Sequence, residues 1–165
     1  MWNVNIEVRG LSQIFRSILV AVAGYTDPAT GKIDNVLETV MERNIRYACE
    51  LAKHARSKVT LIHVSVYPSV VELGGATNLK VFEDAGRKIL ESAKKIASNM
   101  GVEAETILET TFGNPAHNII SVAEDGKFDL ITISSRGHRH LRTLVLGSVC
   151  DAVTKNAPCP VLVVR

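Results

Sequence analysis

The amino-acid sequence predicts an α/β fold in which a parallel five-stranded sheet is covered by helices on both faces. Apolar runs of strand length alternate along the chain with amphipathic segments of helical period, which is typical of sheets built from β-α-β units. The run Ser17–Val22 is apolar at nearly every position and so indicates a strand buried on both faces. Counted along the chain, strands two, one and four are predicted to be central and crossovers are right-handed, so the doubly wound strand order 3-2-1-4-5 is favoured.

Length and composition restrict the class of protein. A chain of 165 residues, of which 46% are hydrophobic, is expected to form one globular domain with a real core. The net charge of +2 argues against nucleic acid as the main partner. No apolar run is long enough to span a membrane, and no signal peptide is predicted. Three cysteines without a CxxC pair or metal-ligand spacing are typical of a reduced, cytoplasmic protein.

Residues 2–9 alternate between apolar and polar side chains, which predicts a half-buried strand. The apolar positions are Trp2, Val4, Ile6 and Val8. We therefore divide the chain into an N-terminal extension, residues 1–14, which adds this strand, and a domain of residues 15–165. The apolar face of the strand needs a covering surface, either the domain's own sheet edge or a partner subunit. A partner is slightly favoured, because an extension that precedes a complete domain is free to reach across.

Eight further elements are predicted after the strand Ser17–Val22, each recognised from its hydrophobic period or its caps. The predicted helices cover Val36–Ala55, Leu79–Met100, a segment from Pro115 after the N-cap Asn114, and Val149–Asn156, and the predicted strands cover Lys58–Val64, Val102–Leu108, Phe128–Ile133 and Val161–Val164. Gly101 is typical of the residue that closes a helix. The strand Val102–Leu108 alternates in polarity, which predicts a place at the edge of the sheet.

The predicted strand Phe128–Ile133 runs into a loop marked by glycines. Ser134-Ser135-Arg136-Gly137 is followed, after nine residues, by Gly147-Ser148 at the start of a helix. In the order 3-2-1-4-5 this loop lies beside the topological switch point, where open α/β sheets bind ligands. Backbone N–H groups and the positive end of a helix dipole can hold a phosphate there. The alternative is a tight turn with a helix N-cap at Ser148.

Other chemistries are less favoured at this loop. It carries the basic side chains Arg136, His138, Arg139, His140 and Arg142. The pair His138-x-His140 could suggest a metal, but no carboxylate or third histidine is close in sequence, so solvated basic residues are expected instead. Cys159 lies between two prolines and is interpreted as a packing residue. His63 is interpreted as a strand-end residue beside the site, not as a ligand.

The chain resembles the universal stress protein family over about Phe15–Arg165. The resemblance rests on the segments Ile18–Val22, Leu61–Val64 and Leu144–Val149, and most specifically on Ala157–Arg165. It implies a Rossmann-like fold of the kind deduced above. It also implies a homodimer that pairs the last strands, Val161–Val164, with possible help from the N-terminal strand. In one branch of the family, it further implies ATP at the switch point.

The ATP-binding branch has a motif of Gly, two residues, Gly, nine residues, then Gly and Ser or Thr. Gly137, Gly147 and Ser148 match it, and Ser134 stands in place of the first glycine. Binders usually carry an adenine-bonding aspartate after the first strand, where this chain has Ala23. Loss of a charged hydrogen bond of about 1.5–3 kcal/mol weakens binding roughly tenfold to a hundredfold. The resemblance implies a nucleotide site formed by Ala21, Val22, Ala23, Val64, Ile133, Ser134, Arg136, Gly137, Gly147, Ser148 and Val149.

These residues support a first hypothesis and leave two alternatives. The first is a cytoplasmic stress-response module that holds ATP or another adenine nucleotide, with or without Mg²⁺ or Mn²⁺, as a signal. It is not expected to be an enzyme, because no general base or Walker-type lysine is evident. The first alternative is a dimeric interaction protein of the same fold without nucleotide, which Ala23 and Ser134 support. The second alternative is an enzyme of adenylate chemistry, which would need acidic or basic residues converging on the switch point. No nucleic-acid or membrane partner is expected.

Overall fold

The structure is a computed structural model, and it describes residues 15–24, 35–67, 79–135 and 147–165, apart from the side chains of residues 35–38. The N-terminal extension therefore lies outside the described residues, and so does the centre of the glycine-marked loop. The predictions for the alternating strand at residues 2–9 and for Arg136 and Gly137 are not tested by the structure.

The described residues form four helices and five strands, close to the predicted set. They are β1 Ser17–Ala21, α1 Asn35–Ala55, β2 Lys58–Val66, α2 Lys80–Asn99, β3 Ala104–Thr111, α3 Pro115–Asp125, β4 Leu130–Ser134, α4 Ser148–Asn156 and β5 Val161–Val164. All strands pair in parallel, in the order β3-β2-β1-β4-β5. The predicted fold class, strand order and edge position of β3 are confirmed.

Two apolar cores lie on opposite faces of the sheet. Ile18, Val20 and Val22 belong to the core beneath α1 and α2, which we call the α1/α2 face. Leu19 and Ala21 belong to the core beneath α3 and α4, the α3/α4 face. Successive side chains of a strand point to opposite faces, so the continuous apolar run of β1 fills both cores. This is why the sequence of β1 lacks alternation.

The bounds of β3 differ from the prediction at both ends. The strand does not begin at Val102, because the Val102 N–H donates to the Ala97 carbonyl at 3.0 Å and so still closes α2. Gly101 adopts a φ of +74° in this closure, as its predicted role requires. At the other end β3 continues beyond Leu108 to Thr111, because β2 itself continues and pairs Val66 with Thr111.

The start of β4 is also later than predicted. Phe128 is held at the end of α3 by a bond from its N–H to the Ala123 carbonyl at 3.0 Å. Asp129 turns its carboxylate to the start of β1 and accepts from the N–H groups of Arg16 and Ser17 at 2.8 and 2.9 Å. These bonds outweigh its burial and lower the pKa of Asp129. The turn fixes where β4 enters the sheet beside β1.

Within the described residues, no helix combines the length and apolar character that crossing a membrane requires. The same residues contain no group of three or more His, Cys, Asp or Glu side chains placed to hold a metal ion.

Candidate functional site

The carboxyl ends of β1 and β4 lie side by side, and the helices that follow them, α1 and α4, lie on opposite faces of the sheet. Ala21 at the end of β1 pairs with Ile133 of β4 on one side and with Ile62 of β2 on the other. The chain continues from β1 to α1 on one face and from β4 to α4 on the other. This edge is therefore the predicted topological switch point, where ligands of open α/β sheets bind.

Several predicted site residues share one face of this edge. The side chains of Ala21, Val64 and Ile133 come from three strands and pack in the core of the α3/α4 face, with exposures of 6%, 9% and 5%. Val149, in the first turn of α4, packs partly buried against the same core. The structure thus brings Val64 of β2, the ends of β1 and β4, and the start of α4 to one apolar wall. An apolar wall beside a few polar backbone groups is the usual construction of a small-molecule site.

The N-terminus of α4 is tied to the end of β4. The Gly147 N–H donates to the Ser135 carbonyl at 3.0 Å, and the Ser135 N–H donates to the Val164 carbonyl of β5 at 2.8 Å. The first N–H groups of a helix have no partner within the helix, and the helix dipole makes them attractive to anions. The two bonds therefore fix an anion-attracting group of amides next to the apolar wall.

Ser148 is not the N-cap of α4, contrary to the alternative raised for this loop. Gly147 occupies that position in an extended conformation, with φ −62° and ψ 152°, and no side chain caps the helix. Ser148 is instead the first helical residue, and it is exposed. Its hydroxyl is not consumed by capping and remains available to a ligand.

Ser134, in place of the first glycine of the motif, fits the backbone without strain. It lies within β4 and is absent from the described non-glycine residues with positive φ, which are Arg56 and Lys127. Ile131 and Ile133 face α3 and α4, so the alternation of the strand directs Ser134 to the α1/α2 face. Its hydroxyl is buried and has no hydrogen-bond partner among the described residues. The added side chain therefore points away from the apolar wall.

Ala23 lies two residues after the last residue of β1 and is partly exposed. Its methyl group offers no hydrogen bond to a ligand at the position where nucleotide-binding relatives are expected to carry aspartate. Val22, just before it, remains tied to the sheet, because its N–H donates to the Ile62 carbonyl at 2.8 Å. The end of β1 therefore offers a ligand backbone groups and no polar side chain at position 23.

Two side chains on the α1/α2 face hold the end of β1. Asn44 of α1 is 1% exposed, and its Nδ2 donates to the Ala21 carbonyl at 3.0 Å and to the Thr132 carbonyl at 3.4 Å. His63 of β2 contacts the Val22 carbonyl through Nδ1 at 3.0 Å. Sequence analysis missed Asn44, although its signal was present. The residue is a polar interruption among the buried positions Met41, Ile45 and Ala48.

His63 lies inside β2 and not at its end, because the strand continues to Val66. A carbonyl oxygen can only accept, so Nδ1 carries the proton in this contact. Burial lowers the pKa of His63, and the bond to Val22 offsets this only in part. The ring is therefore neutral at pH 7, with Nδ1–H as its donor.

A small depression lies near the carboxyl ends of β4 and β5. It is lined by Val40, Arg43, Ser135, Val164 and Arg165 and has a volume of about 70 Å³. Pockets that enclose drug-sized ligands have volumes of roughly 300–1,000 Å³. The depression is too small for a nucleotide, and we do not assign the candidate site to it.

Cys159 does not add a reactive thiol to this edge. Cys159 is partly buried against the core of the α3/α4 face, and burial raises the pKa of its thiol. A protonated, packed thiol agrees with the interpretation of Cys159 as a packing residue. His138 and His140, the pair considered for a metal, lie outside the described residues.

Comparison with known proteins shows where this chain belongs. Residues 38–165 match the family model described as the universal stress protein family. The chain belongs to the universal stress protein family. The universal stress protein YxiE of Bacillus subtilis is 32% identical over 164 residues, covering 92% of this chain and 100% of YxiE. A universal stress protein of Methanocaldococcus jannaschii is 37% identical over 124 residues, covering 73% of this chain and 72% of that protein.

Solved structures of the family share this fold. A universal stress protein from Archaeoglobus fulgidus superposes with a TM-score of 0.67 at 24% identity, covering 92% of this chain and 100% of that chain. The complex of the universal stress protein from the same organism with dAMP gives a TM-score of 0.61 at 24% identity, covering 92% and 99% of the two chains. An AMP-bound family member from Arabidopsis thaliana gives 0.58 at 21% identity, covering 89% and 90%. At these identities the likeness concerns the fold.

Proposed function

We propose that this universal stress protein binds an adenine nucleotide at the carboxyl edge of its sheet, on the α3/α4 face. The observation that carries the proposal is the bond from the Gly147 N–H to the Ser135 carbonyl. It holds the amides at the start of α4 beside the wall of Ala21, Val64 and Ile133. The amides suit a phosphate, and the apolar wall suits a base and ribose.

Solved relatives support the class of ligand. Structures of the fold are described in complex with dAMP, with cAMP and with AMP. Gly147 and Ser148 also match the ATP-binding motif, which extends the proposal to ATP with or without a divalent metal ion. We propose that the nucleotide acts as a signal in a stress response and is held, not turned over. The absence of a polar side chain among Ala21, Val64 and Ile133 supports holding, because such a wall supplies no general base.

A pair of variants at Ser148 tests the role of the helix terminus. Ser148→Pro removes the N–H of the first helical residue, and proline is well tolerated there, since Gly147 already has an extended backbone. Ser148→Ala removes the hydroxyl and keeps the N–H. If the amide binds phosphate, Ser148→Pro weakens ATP binding about tenfold in calorimetry, in line with a charge-assisted bond.

The comparison of the two variants has clear outcomes. An affinity lost equally in Ser148→Ala assigns the contact to the hydroxyl. Wild-type affinity in both variants, with the helix content unchanged in circular dichroism, would contradict the placement of phosphate at α4. The alternative function, an interaction protein without nucleotide, predicts that wild-type protein shows no heat of binding with AMP or ATP.

We also propose a homodimer that pairs the β5 strands of two copies. Among the described strands, β5 pairs with β4 alone, which leaves its other edge without a described neighbour. Leu162 on this strand is 38% exposed. An unpaired edge with an exposed apolar residue is a ready surface for strand addition.

A further inference from the structure

The end of β1 is held from the α1/α2 face by two side-chain donors that belong to different elements. Asn44 reaches from α1 to the Ala21 carbonyl at 3.0 Å, and His63 reaches from β2 to the Val22 carbonyl at 3.0 Å. Two successive carbonyls at one strand end thus each accept a side-chain bond. Both donors are buried, with exposures of 1% and 6%, so solvent does not compete with these bonds.

The α1/α2 face carries more buried polar groups at this strand end than packing alone requires. Asn44 Oδ1, Thr132 Oγ1 and Ser134 Oγ are buried without hydrogen-bond partners among the described residues. Buried polar atoms without partners destabilise a fold, and an apolar residue of similar shape would be at least as stable. A polar side chain at position 44 is therefore better explained by the two carbonyls that it bonds than by the stability of the core.

We propose that Asn44 and His63 are positioning residues that clamp the end of β1, so that its backbone meets the nucleotide in a fixed geometry. The inference rests on the proposed nucleotide site. Ala23 supplies no side-chain bond to the base, so the strand end recognises the ligand through the backbone groups of Ala23, which the bonded Val22 holds in place. Backbone recognition depends on a fixed strand end, because misplacement by about 1 Å is enough to weaken a site severely.

Matched variants separate clamping from general stability. Asn44→Ala removes one donor, and His63→Leu removes the other at similar volume. His63→Asn keeps a donor, because the Asn Nδ2 lies where the histidine Nδ1 lies. Ile45→Val is the control, since Ile45 is the buried neighbour of Asn44 on α1 and its truncation destabilises the same core without a bond to β1. AMP is the probe, and binding is measured by calorimetry.

The proposal predicts a pattern across these variants. Asn44→Ala and His63→Leu each weaken AMP binding about three- to tenfold, as expected for the loss of one hydrogen bond. His63→Asn and Ile45→Val bind AMP within about twofold of wild type. Equal weakening in Ile45→Val, or wild-type affinity in Asn44→Ala and His63→Leu, overturns the proposal.

The rigidity of the β1 end can also be measured without nucleotide, by amide hydrogen exchange of the free protein. The Val22 N–H is bonded to the Ile62 carbonyl at 2.8 Å at the clamped end, whereas Leu19 lies earlier in the same strand. Loss of either donor should speed exchange at Val22 at least about tenfold relative to Leu19. If wild type binds no AMP, the proposed function is wrong, and unchanged exchange at Val22 in both variants then overturns the clamp as well.

Discussion

At the scale of single residues, Ala23 stands where the family resemblance implies an adenine-bonding aspartate. Restoring a carboxylate there should restore a charged hydrogen bond of about 1.5–3 kcal/mol to the base. Ala23→Asp is therefore expected to bind AMP tenfold to a hundredfold more tightly than wild type. Calorimetry measures the change, and Ala23→Leu, with a side chain of similar size, is the control. Unchanged affinity in Ala23→Asp would place the base elsewhere.

His63 makes stability depend on pH. Its pKa in the folded state is lowered from 6.5 by burial, so below pH 6.5 the unfolded state binds a proton that the folded state resists. The free energy of unfolding should fall as the pH drops below 6.5, by up to about 1.4 kcal/mol per pH unit, until the lowered pKa is reached. The described charged side chains do not contribute to this shift, which leaves burial as its cause.

Urea unfolding at about pH 7.5 and about pH 5.5 measures this dependence. His63→Asn cannot titrate and should lose the part of the slope that begins near pH 6.5. A variant with the same slope as wild type would show that another group is responsible.

At the scale of elements, the hydrophobic pattern and the helix caps predicted every described helix and strand, and they failed only at the ends of these elements. Apolar periodicity reports which residues are buried, and it says nothing of the hydrogen bonds that end an element. Val102 is apolar like a strand residue, yet its N–H closes α2. Thr110 and Thr111 end a polar stretch, yet they pair with β2 because that strand continues to Val66.

Packing of α2 on the sheet depends on Gly86. A Cβ at this position would overlap Ser65 Oγ and would lie 2.6 Å from Leu108 Cδ1. We expect Gly86→Ala to lower the free energy of unfolding, because overpacking costs about 1–3 kcal/mol and outweighs the roughly 1 kcal/mol gain in helix propensity. Urea unfolding measures it, with Glu91→Ala on the exposed side of α2 as control. A more stable Gly86→Ala would show that α2 has room to shift.

The site was predictable to the extent that it depends on strand ends. Ala21, Val64 and Ile133 meet because parallel strands end at the same edge, and strand order follows from burial and handedness. The pattern shows Asn44 as a polar position on a buried face, but its bonds to β1 and the bond between Gly147 and Ser135 depend on side-chain and loop geometry that no hydrophobic period encodes. The contacts of the eleven predicted site residues with a nucleotide stay predictions.

At the scale of the whole molecule, dimerisation through β5 can be tested without disturbing the sheet. The carbonyls of Pro160 and Val164 accept bonds from β4, so by the alternation of the ladder the N–H of Val163 points to the free edge. Val163→Pro removes that N–H and should convert the dimer to monomer in sedimentation velocity experiments. Val163→Ala keeps the N–H and should remain dimeric. A dimeric Val163→Pro would place the interface elsewhere.

The N-terminal extension is a proposed second contributor to the dimer. If Trp2, Val4, Ile6 and Val8 cover a subunit interface, deletion of residues 1–13 should weaken dimerisation, because apolar area buried between subunits contributes about 25 cal/mol per Å². Sedimentation equilibrium over a range of concentrations measures the change. An unchanged dimer would instead place the extension on the sheet edge of its own domain.

The central claim is that the carboxyl edge of this sheet holds an adenine nucleotide, and the most direct test is the protein's own response to one. Purified protein is denatured, the released small molecules are identified by mass spectrometry, and the thermal unfolding of nucleotide-free protein is recorded with millimolar AMP, or ATP and Mg²⁺. We predict either co-purified adenine nucleotide or a raised Tm, since ligand at about 100 times its Kd adds about 2.7 kcal/mol. Nucleotide-free protein whose Tm does not change with any of these ligands would contradict the claim.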